Sequence, residues 1–195
     1  MPLGAFKAAL MGTAGVSAGA DVVLLHDTDY SNASAAAITS GIDSTYGEYI
    51  FSFYNINPAS DVVFQFNGSI DGGSNYNVAK TSTLFRANHE ESNANAVLAY
   101  AADNDEAQGT GYQDFVPQVS SGTDENCAGT LHLFNPSSTT YVKHFYSRID
   151  TVYASTYDMD CFAAGYFNTT SAINAIDFKM SSGNFDGTIK MWGVK

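Results

Sequence analysis

Basic residues are scarce in this 195-residue chain, in which eight Lys and Arg stand against 20 Asp and Glu, for a net charge of −12. Proteins that bind nucleic acid neutralise phosphates with clustered Lys and Arg, and this sequence has no such cluster. All charged residues together make up only 14% of the chain, against roughly 25% in an ordinary globular domain. This composition excludes coiled coils and disordered acidic tails, and it predicts that no nucleic acid is a partner.

Cysteine is also scarce, since Cys127 and Cys161 are the two in the chain. Two cysteines cannot build a disulfide framework, and no CxxC motif is present for zinc or redox chemistry. Both lie in apolar, strand-like stretches, which favours buried free thiols over a disulfide bridge. No apolar run approaches the ~20 residues that a membrane span requires, so we expect no membrane partner.

Catalytic motifs are absent as well. The sequence has no GxSxG nucleophile elbow, no Walker loop, no dinucleotide-binding glycine pattern and no HExxH motif. His132 and His144 are expected on neighbouring strands, where a metal-binding pair is the minor alternative to packed or surface histidines. Two carboxylates suffice for glycoside hydrolysis, but nothing places two of them in one cleft. We therefore predict no enzymatic activity, no catalytic residue, no metal site and no cofactor.

What the chain does contain is apolar and aromatic material, with 45% hydrophobic and 13% aromatic residues. From residue 21 onward, apolar and polar residues alternate with a period of two, and turn residues recur about every ten positions. The clearest strand is 46–56 (YGEYIFSFYNI), which Asn57-Pro58 ends because proline cannot donate to a strand ladder. The pattern predicts an all-β fold, a single antiparallel, jelly-roll-like β-sandwich over residues 21–195.

Eight or nine strands are expected in this sandwich. Residues 22–26 form a short apolar run, and 94–102 favours a strand over a competing helical turn. We expect tight hairpins at Asp71-Gly72-Gly73, at Asn135-Pro136-Ser137-Ser138 and near the C-terminus at Ser182-Gly183-Asn184 and Asp186-Gly187. The clear strands are 46–56, 61–69, 76–88, 129–134, 141–149, 159–167, 173–180 and 188–194.

Residues 103–126 combine six acidic residues with glycines and a proline, which predicts a long surface excursion. We interpret this loop as facing solvent or a host, with Tyr112 and Asp114 as candidate contacts to a host glycan. Asp103 and Asp105 offer oxygen ligands, so calcium there is a weak alternative to a solvated loop. The glycine and the final glutamate of a calcium-binding loop are missing, which favours the solvated loop.

The first twenty residues are predicted to form a short N-terminal arm that attaches to a partner. Their apolar residues Leu3, Phe6, Leu10 and Met11 are the candidate partner contacts. A signal peptide ending at Ala18-Gly19-Ala20 is the alternative. The glycines that interrupt the apolar run and the position of the one lysine inside it favour the arm.

The chain has twelve tyrosines and thirteen phenylalanines, more than one sandwich core of this size comfortably holds. Several tyrosines fall near predicted strand ends or in loops, where they are sandwich-corner residues or, alternatively, stack on sugars or fill a subunit interface. These are Tyr30, Tyr76, Tyr100, Tyr112, Tyr153 and Tyr157.

Four stretches resemble a family of small virion proteins of tailed bacteriophages, especially marine ones. They are MPLGAFKAALMG (1–12), IDSTYGEYIFSFYNINP (42–58), GTLHLFNPSSTTYVKHF (129–145) and FKMSSGNFDGTIKMWGVK (178–195). The resemblance spans most of the chain and is weakest over 103–126, and it brings no catalytic residue with it.

The resemblance implies a structural protein on the exterior of a virion, as a capsid decoration, head-fibre or tail-attached protein, with other virion proteins as partners. Its acidic charge suits an external position, because packaged DNA repels it. A homo-oligomer is expected, and three-fold symmetry is preferred by analogy with attachment sites on such particles. The alternative is a lectin-like module that binds host surface glycans. A secreted polysaccharide depolymerase is the least favoured of the alternatives.

Overall fold

A computed structural model describes residues 21–195, and all regular elements in that range are β-strands. No helix in this part of the chain has the length and apolarity needed to cross a bilayer. The strands are β1 (Val22–Ala33), β2 (Ala36–Ile38), β3 (Glu48–Pro58), β4 (Phe64–Ser69), β5 (Lys80–Glu90), β6 (Ala96–Tyr100), β7 (Ala107–Gly109), β8 (Gln113–Asp114), β9 (Cys127–Phe134), β10 (Lys143–Tyr153), β11 (Tyr157–Phe167), β12 (Ala175–Met180) and β13 (Phe185–Val194).

The strands form two antiparallel sheets that pack face to face, which confirms the predicted all-β sandwich. The larger sheet has the order β1-β13-β3-β9-β10-β11-β5-β6, with β7 also paired to β5. The smaller sheet has the order β2-β12-β4-β8. Because the chain crosses repeatedly between the sheets, strands that are distant in sequence become neighbours, such as β3 between β13 and β9.

The core lies between the two sheets and is dominated by phenylalanine. Phe53 of the larger sheet packs at 5.3 Å from Phe64 and 5.1 Å from Phe178 of the smaller sheet, measured between ring centroids. Aromatic pairs at such spacings contribute roughly 0.5–1.5 kcal/mol each beyond the burial of their area. Buried phenylalanines are residues 51, 53, 64, 66, 115, 145, 167, 178 and 185. Tyr49 is the one tyrosine buried with them, and the other tyrosines of residues 21–195 are at least partly exposed, as expected if the chain has more aromatic residues than its core holds.

Strand alternation is confirmed over most of β3 and interrupted near its end. Tyr49, Phe51 and Phe53 alternate into the core, but Asn55 adopts a positive φ of 52°. The pairing with β9 shifts between Phe53 and Ile56, so a β-bulge turns Ile56 into the core instead of the opposite face. The alternation of β3 therefore holds for the three aromatic residues and ends at Asn55.

Two of the three predicted hairpins are wrong. Asp71-Gly72-Gly73 forms a turn, but β4 and β5 on its two sides belong to different sheets. The same holds for Ser182-Gly183-Asn184 between β12 and β13, and Gly187 lies inside β13 at an irregularity of the pairing. Turn residues therefore predict where the chain changes direction, but they do not predict which strands pair. The Asn135–Ser138 turn does connect the antiparallel pair β9 and β10, as predicted.

The expectation that 103–126 is a surface excursion is wrong for its central part. Phe115, Val116 and Val119 are fully buried, and Gln113 is buried beside them. The Gln113 amide donates to the carbonyl oxygens of Asn104 and Asp114, which satisfies its polar atoms inside the protein. This segment closes one side of the core because its apolar residues are adjacent to the β4 edge of the smaller sheet.

Candidate functional site

A groove of about 950 Å³ lies at one end of the larger sheet. Aromatic side chains on its surface come from Tyr46, Phe134, Tyr141 and His144. Its hydroxyl and amide groups come from Ser44, Asn135, Ser137, Ser138, Thr140 and Thr170. No Asp, Glu, Lys or Arg is among the described residues that line it. An uncharged lining with both aromatic faces and hydrogen-bonding groups suits an uncharged, polar ligand.

Hydrogen bonds hold the walls of this groove in place. The buried ammonium group of Lys143 donates to the carbonyl oxygens of Tyr141 and Thr169, both at 3.0 Å. The Ser138 hydroxyl accepts from the backbone N–H groups of Thr140 and Tyr141. Burial lowers the pKa of Lys143 from its ordinary value. The turn that carries Tyr141 is thereby tied to the neighbouring loop, while the Tyr141 side chain stays 73% exposed.

A second cavity of about 400 Å³ continues along the outer face of the same sheet. It shares Phe134 and His144 with the first groove and adds Tyr146 and Tyr166. Next to it, the rings of His132 and Tyr146 stack at 4.5 Å, and His132 Nδ1 lies 2.6 Å from a carboxylate oxygen of Glu48. The two cavities therefore form an extended surface lined by aromatic rings, which we call the aromatic groove.

A third cavity, of about 390 Å³, is acidic and lies elsewhere on the outer face. Burial and the adjacent Asp158 raise the pKa of Asp150 to about 6. Arg148 donates to both carboxylate oxygens of Asp160, so part of the negative charge there is neutralised inside the protein. Like charges on neighbouring strands repel, which makes this cavity a cost to folding at neutral pH.

Tyr112 and Asp114, the candidate glycan contacts, are half-buried and bonded to other residues of the chain. The Tyr112 hydroxyl donates to Asp177 at 2.8 Å, and the ammonium group of Lys179 lies 4.1 Å from the Tyr112 ring centroid. The Asp114 carboxylate accepts from the side-chain amides of Gln65 and Asn104, and burial raises the pKa of Asp114. Their role in glycan binding stays a prediction.

The candidate ion ligands are not gathered into a cluster. Asp103 is exposed, and Asp105 accepts a hydrogen bond from the hydroxyl of Tyr100. His132 and His144 lie on the paired strands β9 and β10, as predicted, but the ring of His144 packs at 5.9 Å from Tyr166. Across residues 21–195, no group of three or more His, Cys, Asp or Glu side chains is placed to hold a metal ion.

The cysteine prediction is confirmed, because Cys127 and Cys161 are both buried and free. Burial raises the pKa of both thiols, that of Cys161 to about 12, so neither forms a reactive thiolate at neutral pH. The candidate partner contacts Leu3, Phe6, Leu10 and Met11 lie outside the described residues.

Sequence reasoning missed Tyr46, Phe134 and Tyr141 as site residues. One signal was available: Leu131 and Leu133 alternate into the core, so the alternation places the aromatic ring of Phe134 on the outer face. No local signal in the sequence predicts that the segment before β3 lies next to the turn after β9, because that contact depends on the pairing of these two strands. Comparison with known proteins adds no further residue: no protein-family model, no curated protein and no solved structure matches the chain.

Proposed function

We propose that the protein is a non-enzymatic structural component on the exterior of a bacteriophage virion, either a capsid decoration or head-fibre protein or a tail-attached one. It docks on other virion proteins through its N-terminal arm, with Leu3, Phe6, Leu10 and Met11 as the contacts, and it self-associates. A trimer is the preferred oligomer.

One observation supports this proposal above the others. The stretches 42–58, 129–145 and 178–195, which resemble phage virion proteins, contain β3, most of β9, and β13. In the folded chain these strands are consecutive neighbours in the larger sheet, in the order β13-β3-β9. Segments far apart in the sequence thus form one continuous structural unit, as expected if the resemblance reflects a shared scaffold and not isolated short matches.

Two further features agree with a role in assembly. The edge strand β6 exposes Val97, Leu98 and Tyr100, an apolar surface suited to burial against another copy. The net charge of −12 includes one lysine within residues 1–20, so residues 21–195 carry seven basic and 20 acidic residues. A strongly acidic body is repelled by DNA and suits the outside of the particle.

Immunogold electron microscopy of purified particles, with an antibody against residues 21–195, tests the proposal. Label over the head or the tail is expected, and its position decides between capsid decoration and tail attachment. Deletion of residues 1–12 should leave the protein folded but absent from particles. Particles free of label, and free of the protein by mass spectrometry, would contradict the virion role.

The lectin-like alternative has its own supporting observation, which is the aromatic groove. Unlike Tyr112 and Asp114, the ring of Tyr141 is largely exposed in a groove with an uncharged lining. A particle protein can also bind a host surface, so the two functions are compatible.

A further inference from the structure

The geometry points to the aromatic groove as a binding site for a neutral saccharide chain, with Tyr141 and Phe134 as stacking platforms. This inference names a site and a ligand class for the lectin-like alternative, and it is independent of the proposed virion role. It moves the expected glycan contact from the 103–126 segment to the end of the larger sheet.

The first argument is chemical complementarity. The faces of sugar rings that carry C–H bonds are apolar and their edges carry hydroxyl groups, so a saccharide site combines aromatic rings with hydrogen-bonding groups. The groove supplies the rings of Phe134 and Tyr141 and surrounds them with hydroxyl and amide groups of Ser44, Asn135 and Thr170. Such a lining offers aromatic contacts to the apolar face of a sugar ring and hydrogen bonds to the hydroxyl groups at its edge.

The second argument concerns charge. The chain as a whole is acidic, at −12, yet no Asp, Glu, Lys or Arg is among the described residues that line the groove. An anionic polysaccharide would be repelled by the acidic protein, and no Lys or Arg of residues 21–195 lines the groove to pair with its charge. A basic peptide would have no carboxylate from this part of the chain in the groove to pair with. The uncharged lining is complementary to a neutral ligand.

The third argument concerns size and rigidity. The volumes of about 950 Å³ and about 400 Å³ adjoin at Phe134 and His144, which gives an elongated site for several sugar units. The Lys143 ammonium group fixes the backbone at Tyr141 and Thr169, and the backbone N–H of Ile173 donates to the carbonyl of Pro136 at 2.9 Å. A fixed turn loses little conformational entropy when a ligand binds.

The test is affinity electrophoresis of the full chain in native gels that contain a soluble neutral polysaccharide. Dextran, mannan and laminarin are the neutral probes, and alginate is the acidic one. We expect at least one neutral polysaccharide to retard the wild-type protein, and alginate not to. Retardation by alginate alone, or by none of the three neutral polysaccharides, would overturn the inference.

Three variants locate the site. Tyr141→Ala should weaken the binding roughly tenfold, since it removes one stacking platform. Tyr141→Phe keeps the ring and should stay within about threefold of wild type. The matched control is Tyr54→Ala, which removes a 45% exposed tyrosine of β3 that lines neither cavity of the groove and should bind as wild type does.

Equal binding by Tyr141→Ala and Tyr54→Ala would show that the saccharide binds elsewhere. Thermal unfolding of all three variants verifies that each is folded before its binding is compared. A failure here is distinguishable from a failure of the proposed virion role, because incorporation into particles is measured separately and does not require the groove.

Discussion

Lys80 is a buried lysine at the start of β5, and it shows how one residue joins the 103–126 segment to the core. Its ammonium group donates to the carbonyl oxygen of Gly111 and lies 6.0 Å from the ring centroid of Phe167. The Asn67 amide donates to the same carbonyl oxygen at 2.8 Å. Burial lowers the pKa of Lys80 to about 8, although the nearby Glu106 acts in the opposite direction.

This pKa predicts a pH-dependent stability. The unfolded chain keeps the Lys80 proton up to its ordinary pKa of 10.5, whereas the folded chain releases it at about 8. Between these values the unfolded state binds more protons, so Lys80 makes the folded state more stable as pH rises. Relative to Lys80→Met, the wild-type free energy of unfolding should rise by about 2 kcal/mol from about pH 8 to about pH 9.5.

Urea denaturation at a series of pH values measures this difference. The buried thiols change stability in the opposite direction, but they do so in both proteins and cancel in the comparison. Lys190→Met is the matched control, because the hydrogen bond that the Lys190 ammonium group donates to Asp27 raises the pKa of Lys190 and moves its titration above this pH range. A difference between wild type and Lys80→Met that stays constant with pH would contradict the assignment.

At the scale of elements, strand β11 depends on close contact with both of its neighbours. Gly165 lies opposite Ser82 of β5 and Phe145 of β10. A Cβ atom at Gly165 would stand 2.5 Å from the carbonyl oxygen of Thr81 and 2.8 Å from the ring of Phe145. Such distances require the backbone to move, so the site has no room for a side chain.

Gly165→Ala is therefore expected to lower the free energy of unfolding by about 1–3 kcal/mol, as overpacked cores do. The matched control is Gly47→Ala, where the nearest atom to the new Cβ would be Asn135 Oδ1 at 3.7 Å, and its effect should stay within about 0.5 kcal/mol. Neither glycine has a positive φ, so the two variants differ in the space available to the new Cβ atom and not in backbone strain. Equal midpoints in chemical denaturation for the two variants would refute this account.

The elements also show how far local sequence signals extend. The sequence of 94–102 favours a strand over a helix, and β6 (Ala96–Tyr100) confirms this prediction. The short strands β2, β7 and β8 were missed, because two or three residues carry too little alternation to be recognised. The turns at Gly72 and Gly183 were recognised by their residues, but each joins strands of different sheets. A turn motif fixes a change of direction, whereas the partner of the next strand depends on packing.

At the scale of the whole molecule, the β6 edge of the larger sheet is a surface suited to self-association. Strand β6 pairs with β5 on one side and ends the sheet of the described chain on the other. Leu98 is 75% exposed there, and Val97 and Tyr100 are exposed beside it. Exposed apolar edge strands pair with other chains unless they are covered or charged. The proposed homo-oligomer would cover this edge.

Leu98→Lys should therefore shift the protein toward the monomer, with association weakened roughly tenfold or more, because burial of an added charge opposes the contact. Sedimentation velocity over a range of concentrations measures the change. Ile70→Lys is the matched control, since it places the same charge on an exposed residue of the turn after β4, away from this edge. Similar association for both variants and the wild type would place the oligomer interface elsewhere.

The amino-acid sequence by itself determined the fold class, the buried thiols and the core faces of the long strands. These follow from composition and from period-two alternation, which are local properties of the chain. Tertiary structure alone decided the pairing of β3 with β9 and β13, the burial of Gln113 and Phe115, and the assembly of the aromatic groove from four separate segments. Those features depend on which apolar surfaces two crossing sheets bury against each other, and alternation along one strand carries no information about its neighbours.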